Sequence, residues 1–172
     1  MTDILTKYYC DESITNNDQD KWLILLEYAY NIADQVEFNI LFSDAGLDEL
    51  LTELSQDLAQ KGKRKDKIYR SGEFVRYRLS DRLKGFIQSK KYSDWHSFYF
   101  EDISFLKDGE EFFATITHEN FVIIRLTENE RINFNKRGFH FDGDWGTNPM
   151  AMTENMKEVS KSLLDKLKGF IK

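Results

Sequence analysis

One cysteine, one proline and three histidines serve all 172 residues, and each scarcity removes a class of function. A lone thiol, Cys10, can close no intrachain disulfide and can build no thiolate zinc cage; a chain of this kind suits a reducing compartment. With a single proline and nine glycines, no Pro- or Gly-rich linker divides the sequence. One domain over residues 1–172 is therefore expected, with 1–17 irregular. No apolar run approaches the roughly 20 residues of a membrane-crossing helix. The opening MTDILTKYYCDES has neither the basic start nor the apolar stretch of a signal peptide, so a cytoplasmic protein with no membrane partner is expected. No Gly-rich phosphate loop, dinucleotide fingerprint, nucleophile elbow, HExxH or HxH is present, and no cofactor is expected.

Aromatic residues, by contrast, are abundant. They make up 15% of the chain, with fourteen Phe, eight Tyr and three Trp, while 41% of residues are hydrophobic and 31% charged. These are the proportions of a soluble globular protein with an aromatic-rich core, in which some Tyr and Trp can serve as partner anchors. Net charge is −6 but unevenly spread: ten Lys and Arg against three acids give residues 61–84 a charge of +7, leaving −13 on the remainder. The segment KGKRKDK resembles short basic clusters that grip phosphate backbones. Lys61, Lys63, Arg64, Lys65, Arg76 and Arg78 are the residues a nucleic-acid-binding reading would use. The competing reading is a solvated loop after a helix.

Two periods alternate along the chain. Helical spacing covers 20–34 (Trp22, Leu25, Leu26, Ala29), 47–61 (Leu47, Leu50, Leu51, Leu54, Leu58), closed by Gly62, and 153–171 (Met156, Val159, Leu163, Leu167). A short helix is expected at DRLKGFIQS, and another at ENERINFNK, capped by Thr127 and ended by Gly138. Strand spacing covers VEFNILF, EFVRYRL, DWHSFYFE, DISFLK, EEFFATIT and NFVIIRLT, with FHF a further short strand. Asp108–Gly109 is a strong two-residue hairpin signal. It pairs Phe105 with Phe112, and a turn at Glu119–Asn120 pairs Ile116 with Ile123. One face then carries Ile103, Phe105, Phe112, Ala114, Ile116, Phe121 and Ile123, and the other Leu106, Phe113, Val122, Ile124 and Leu126. The expectation is an α+β domain whose antiparallel sheet of about five strands packs with three main helices. Because both faces are largely apolar, a homodimer through one face is an option.

Few groups invite chemistry. His118 and Glu119 stand side by side but read as a hairpin tip, since neighbours in a strand point to opposite faces. His96, His118 and His140 have no spacing that makes them converge, so no metal site and no catalytic residue are expected. An enzyme reading would place His96 or His118 as general base beside Glu101 or Glu119, in a small hydrolase-like site. FHFDGDWGTNP sets Asp142, Asp144 and Asn148 among glycines, yet fails the calcium-loop pattern at its twelfth position. With Trp145 in its midst, this loop is a candidate contact for a basic partner, as is the hairpin Asp108, Glu110 and Glu111.

The hairpin DISFLKDGEEFFATITHENF, in a short acidic aromatic-rich chain without catalytic signatures, resembles those of small immunity proteins of bacterial toxin systems. The resemblance implies a non-catalytic protein that binds and neutralises a protein partner. The −13 remainder would steer a basic one toward it.

Overall fold

The fold is that of a computed structural model describing residues 6–12, 14, 18–40, 45–63, 72–96 and 99–146. Eight strands form one sheet: β1 (Thr6–Asp11), β2 (Gln35–Ile40), β3 (Leu58–Lys63), β4 (Glu73–Arg78), β5 (Phe100–Lys107), β6 (Glu110–Ile116), β7 (Phe121–Thr127) and β8 (Gly143–Asp144). Their order is β3-β4-β2-β5-β6-β7-β1-β8, antiparallel throughout. Four helices accompany the sheet: α1 (Gln19–Ile32), α2 (Ala45–Glu53), α3 (Asp81–Gln88) and α4 (Glu128–Lys136). The α+β class and the antiparallel sheet match the sequence reading; the strand count of about five does not. The helix expected over 153–171 lies outside the described residues.

Three strands account for the difference. Residues 6–11, expected to be irregular, form β1 because Tyr9 and Asp11 point to the core while Thr6–Asp11 pair along β7. The helix expected over 47–61 stops at Glu53, and Leu58–Lys63 turns back as an exposed edge strand on β4. Gly62 is not a helix stop. It lies under the Phe74 ring of β4, where an added Cβ would come within 3.0 Å of ring carbons. FHF forms no strand; β8 follows it at Gly143–Asp144. DWHSFYFE is also not continuous, since Tyr92–Trp95 is a 3-10 turn and the strand begins at Phe100.

All four described helices pack on one face of the sheet. Trp22, Leu25, Leu26 and Ala29 of α1 are fully buried there against Val36, Phe38, Val75, Tyr77, Phe105 and Ile124. Each such side chain contributes on the order of 1.5–3 kcal/mol by leaving water. Phe38 is the hub of the aromatic core, stacked on Phe100 at 4.8 Å and on Trp95 at 5.5 Å. Local signals set the helix starts. Ser80 caps α3 by accepting the Leu83 N–H, and Thr127 and Glu130 form a capping box on α4, each worth about 1 kcal/mol. The opposite face carries a smaller cluster of Tyr8, Cys10, Phe121 and Ile123, flanked by Ile116 and Trp145.

Both hairpins depart from the expected register. Asp108 and Gly109 have φ of 52° and 83°, as a two-residue turn with two left-handed positions requires, and Lys107 faces Glu110. A bulge then intervenes, so that Phe105 faces Phe113 rather than Phe112. Ala114, Ile116, Phe121 and Ile123 consequently lie on the face opposite Ile103 and Phe105, which corrects the single apolar face read from the sequence. Between β6 and β7 the last pair is Ile116 with Phe121, and Thr117–Glu119 form a 3-10 turn closed by Asn120 at φ 56°. This shift from the two-residue turn moves the register by two, so the side chains keep their faces.

Candidate functional site

A second bulge builds the most unusual polar group of the molecule. Glu37 of β2 faces Ser104 of β5, but Asn39 faces Glu101, so β5 carries one extra residue between them. Asp102 sits in that bulge with a left-handed φ of 51°, a conformation that Asp tolerates better than most residues. The Ile103 N–H, displaced from the ladder, donates instead to Thr115 Oγ1 at 2.9 Å. Asp102 itself is 8% exposed. Its Oδ1 accepts the Thr117 backbone N–H at 3.0 Å and its Oδ2 accepts Asn39 Nδ2–H at 3.2 Å. The carboxylate thus fastens the β6–β7 connection to β5 and β2.

That fastening brings His118 to Glu101. His118 Nδ1 lies 3.7 Å and His96 Nδ1 3.9 Å from Glu101 Oε1, while His118 Nε2 lies 3.8 Å from Glu119 Oε1. Two of the three histidines therefore meet at one carboxylate, whereas His140 is exposed on another segment, its backbone N–H donating to buried Asp11. The sequence concealed this meeting, since it joins residues 96, 101–102 and 118 through a bulge that leaves no pattern.

Burial pushes the Glu101 carboxyl above the usual carboxylate range, the neighbouring Asp102 charge pushes it further, and the two imidazoles pull it back. The folded chain therefore holds this proton more tightly than the unfolded chain. Stability present at low pH is lost as pH rises from about 4.3 through the raised folded value. Glu101→Gln is expected to raise the urea midpoint at pH 7 in EDTA buffer, with the gain closing toward about pH 4, where the unfolded carboxyl protonates. A lower midpoint at pH 7 would show that the surroundings stabilise the charged form.

The other end of the same sheet is acidic. The β5–β6 turn, the end of β7, the start of β1 and β8 meet there, three strand spacings or about 15 Å across from β6 to β8. Lys7 pairs with Asp144 at 2.7 Å, Arg125 with Glu110 at 3.3 Å, Arg131 with Glu128 at 2.6 Å and Lys107 with Asp34 at 3.4 Å. Asp108 shares Lys107 at 3.9 Å and Asp142 shares Arg131 at 3.8 Å, so among the described residues these pairs set six carboxylates around four cations. The Asp108 and Asp142 side chains are 81% and 72% exposed. Trp145 is half-buried against Phe121 at 5.5 Å, and its backbone N–H donates to Tyr8 O. Tyr8 Oη in turn donates to Glu111 O at 2.7 Å, joining the loop and the hairpin that the sequence singled out.

In the basic window Lys61, Lys63 and Arg78 are exposed and Arg76 is half-buried. Arg76 pairs with Glu37 at 2.7 Å and Lys61 with Glu73 at 3.5 Å, and Arg78 donates to Gln56 O. Lys63 is exposed on β3, and Arg64 and Lys65 lie outside the described residues. Tyr77 is fully buried and offers no stacking surface. A groove of about 280 Å³ between α1 and α4, lined by Glu27, Tyr28, Glu130 and Arg137 among others, holds neither histidine of the cluster. No helix of the described residues is long and apolar enough to cross a membrane. Comparison of the chain with protein-family models, with curated proteins and with solved structures finds no match.

Proposed function

We propose that the chain is a non-catalytic protein-binding module whose acidic sheet end receives a basic protein partner, with an immunity-type neutralising role as its concrete form. The reading is carried by one observation: among the described residues, six carboxylates share four cations where the Asp108–Glu111 hairpin and the Asp142–Trp145 loop meet. An excess of one sign on a compact surface speeds encounter with the opposite sign and rejects like charge. Half-buried Trp145, held by its backbone hydrogen bond to Tyr8, supplies aromatic area beside it. Each of those four described cations is engaged in a pair, so the net charge of the set is negative.

The test is affinity capture from the native cell with the wild-type chain and with the double variant Asp108→Lys, Glu110→Lys. Both side chains are exposed, and Lys at the left-handed Asp108 costs about 1–2 kcal/mol, short of the total stability of an ordinary domain, so the fold is retained. The wild type is expected to recover one stoichiometric basic protein, in a manner weakened by salt. The variant is expected to recover at least about tenfold less, a loss of roughly 1.4 kcal/mol or more. No stoichiometric protein, or equal recovery by both chains, overturns the reading.

A further inference from the structure

We propose that Glu101, Asp102 and His118 form a binding site for one divalent transition-metal cation of the zinc or manganese type, with His96 placed to join as a fourth donor. The site lies at the end of the sheet remote from the acidic surface and is independent of the partner reading. Its donors, a carboxylate oxygen from each acid and an imidazole nitrogen, all lie within 4.8 Å of one another. Donors on a common cation stand about 2.0–2.2 Å from it, hence about 3–3.5 Å apart. Small side-chain rotations close that gap, and the exposed imidazole of His118 is free to make them.

The second observation is Glu101 itself. It is 5% exposed, and among the described residues its carboxylate accepts no hydrogen bond; the two imidazole nitrogens stand 3.7 and 3.9 Å away. A buried carboxylate in that state bears a desolvation cost that the two imidazoles, beyond hydrogen-bond reach, offset only in part. Beside it stands the second buried carboxylate, Asp102. Two adjacent carboxylates in low dielectric repel each other, and a divalent cation between them turns that repulsion into attraction.

Asp102 also has the setting of a preformed ligand. The Thr117 N–H and the Asn39 amide each hold one of its oxygens, fixing the carboxylate before any ion arrives. The donor set selects the ion: imidazole with carboxylates suits zinc, manganese or iron, while magnesium and calcium favour oxygen donors alone. A three-histidine centre was the wrong pattern to seek, because this site needs one histidine and the two acids of a bulge.

The test uses the full untagged chain, stripped with EDTA and desalted, followed by thermal unfolding with added Zn²⁺, Mn²⁺ or Mg²⁺ and by metal analysis after gel filtration. One Zn²⁺ or Mn²⁺ per chain is expected. The expected Tm rise is about 5–10 °C at a hundredfold excess over Kd, with little response to Mg²⁺. His118→Ala, at an exposed position, and the near-isosteric Glu101→Gln are both expected to fold and to lose that rise. The proposal is overturned if neither Zn²⁺ nor Mn²⁺ shifts the wild type, if both variants respond as the wild type does, or if Mg²⁺ binds as well as Zn²⁺.

Discussion

Phe100→Ala is expected to lower the stability of the chain by about 3–5 kcal/mol, the range for truncating a fully buried aromatic ring. Phe100 is 0% exposed and stacks on Phe38 at 4.8 Å, with Tyr77 at 6.1 Å and Phe86 at 6.5 Å. Truncation removes the transfer energy of the ring and leaves a cavity among rigid aromatic neighbours that close poorly around it. A domain of ordinary stability has about 5–15 kcal/mol in total, so this one change consumes a large share of it. In a thermal melt the loss reads as roughly 10 °C, with the urea slope unchanged. Leu23→Ala, on the solvent side of α1 at 40% exposed, is the control and is expected to stay within about 0.5 kcal/mol. A Phe100→Ala cost below about 1 kcal/mol would show that the stacked cluster is not the core of this fold.

Asp102→Ala is expected to cost about 2–4 kcal/mol, although it removes only a small polar side chain. Two contributions add. The Thr117 N–H and the Asn39 amide lose their acceptor inside the protein, at about 1–3 kcal/mol for a buried unsatisfied donor. Alanine also lacks the local hydrogen bonding that eases Asp into the left-handed region, which costs an ordinary residue about 1–2 kcal/mol. Asp102→Asn keeps the backbone preference and one acceptor oxygen, so it should lose about half as much or less. Equilibrium urea unfolding of both variants checks the order. Equal costs for Ala and Asn would mean that the charge of Asp102, rather than its hydrogen bonds and backbone conformation, holds the β6–β7 connection.

These two residues also divide what a linear reading can reach. Phe100 belongs to the aromatic segment DWHSFYFE, whose apolar character is plain in the sequence even though the strand begins only at Phe100. Asp102 looks like an ordinary polar position between Glu101 and Ile103. Its role comes from a bulge that exists because β2 and β5 pair with unequal numbers of residues. The same limit applied to His96 and His118. Their residue types suggested acid–base chemistry, but a separation of 22 in sequence carries no information on distance, and the spatial neighbour of both, Glu101, emerges only once the strands are paired.

By itself the sequence determined whatever is decided within a few residues. The apolar stripe of α1, the Ser80 and Thr127 caps, the left-handed turn at Asp108–Gly109 and the left-handed Asn120 all follow from local sterics and hydrogen bonding. So does the α+β class, from the alternation of 3.6- and 2-residue periods. Tertiary structure alone decided that Thr6–Asp11 and Leu58–Lys63 are strands. The exposed LAQKGK has no inward face to announce itself, and its conformation comes from hydrogen bonds to β4. Tertiary structure also set the bulges between β2 and β5 and between β5 and β6, and with them which side chains share a face and which carboxylates meet the histidines. The physical reason is the same in each case: a strand is completed by its partner, so its register and the side chains it brings together belong to the pair.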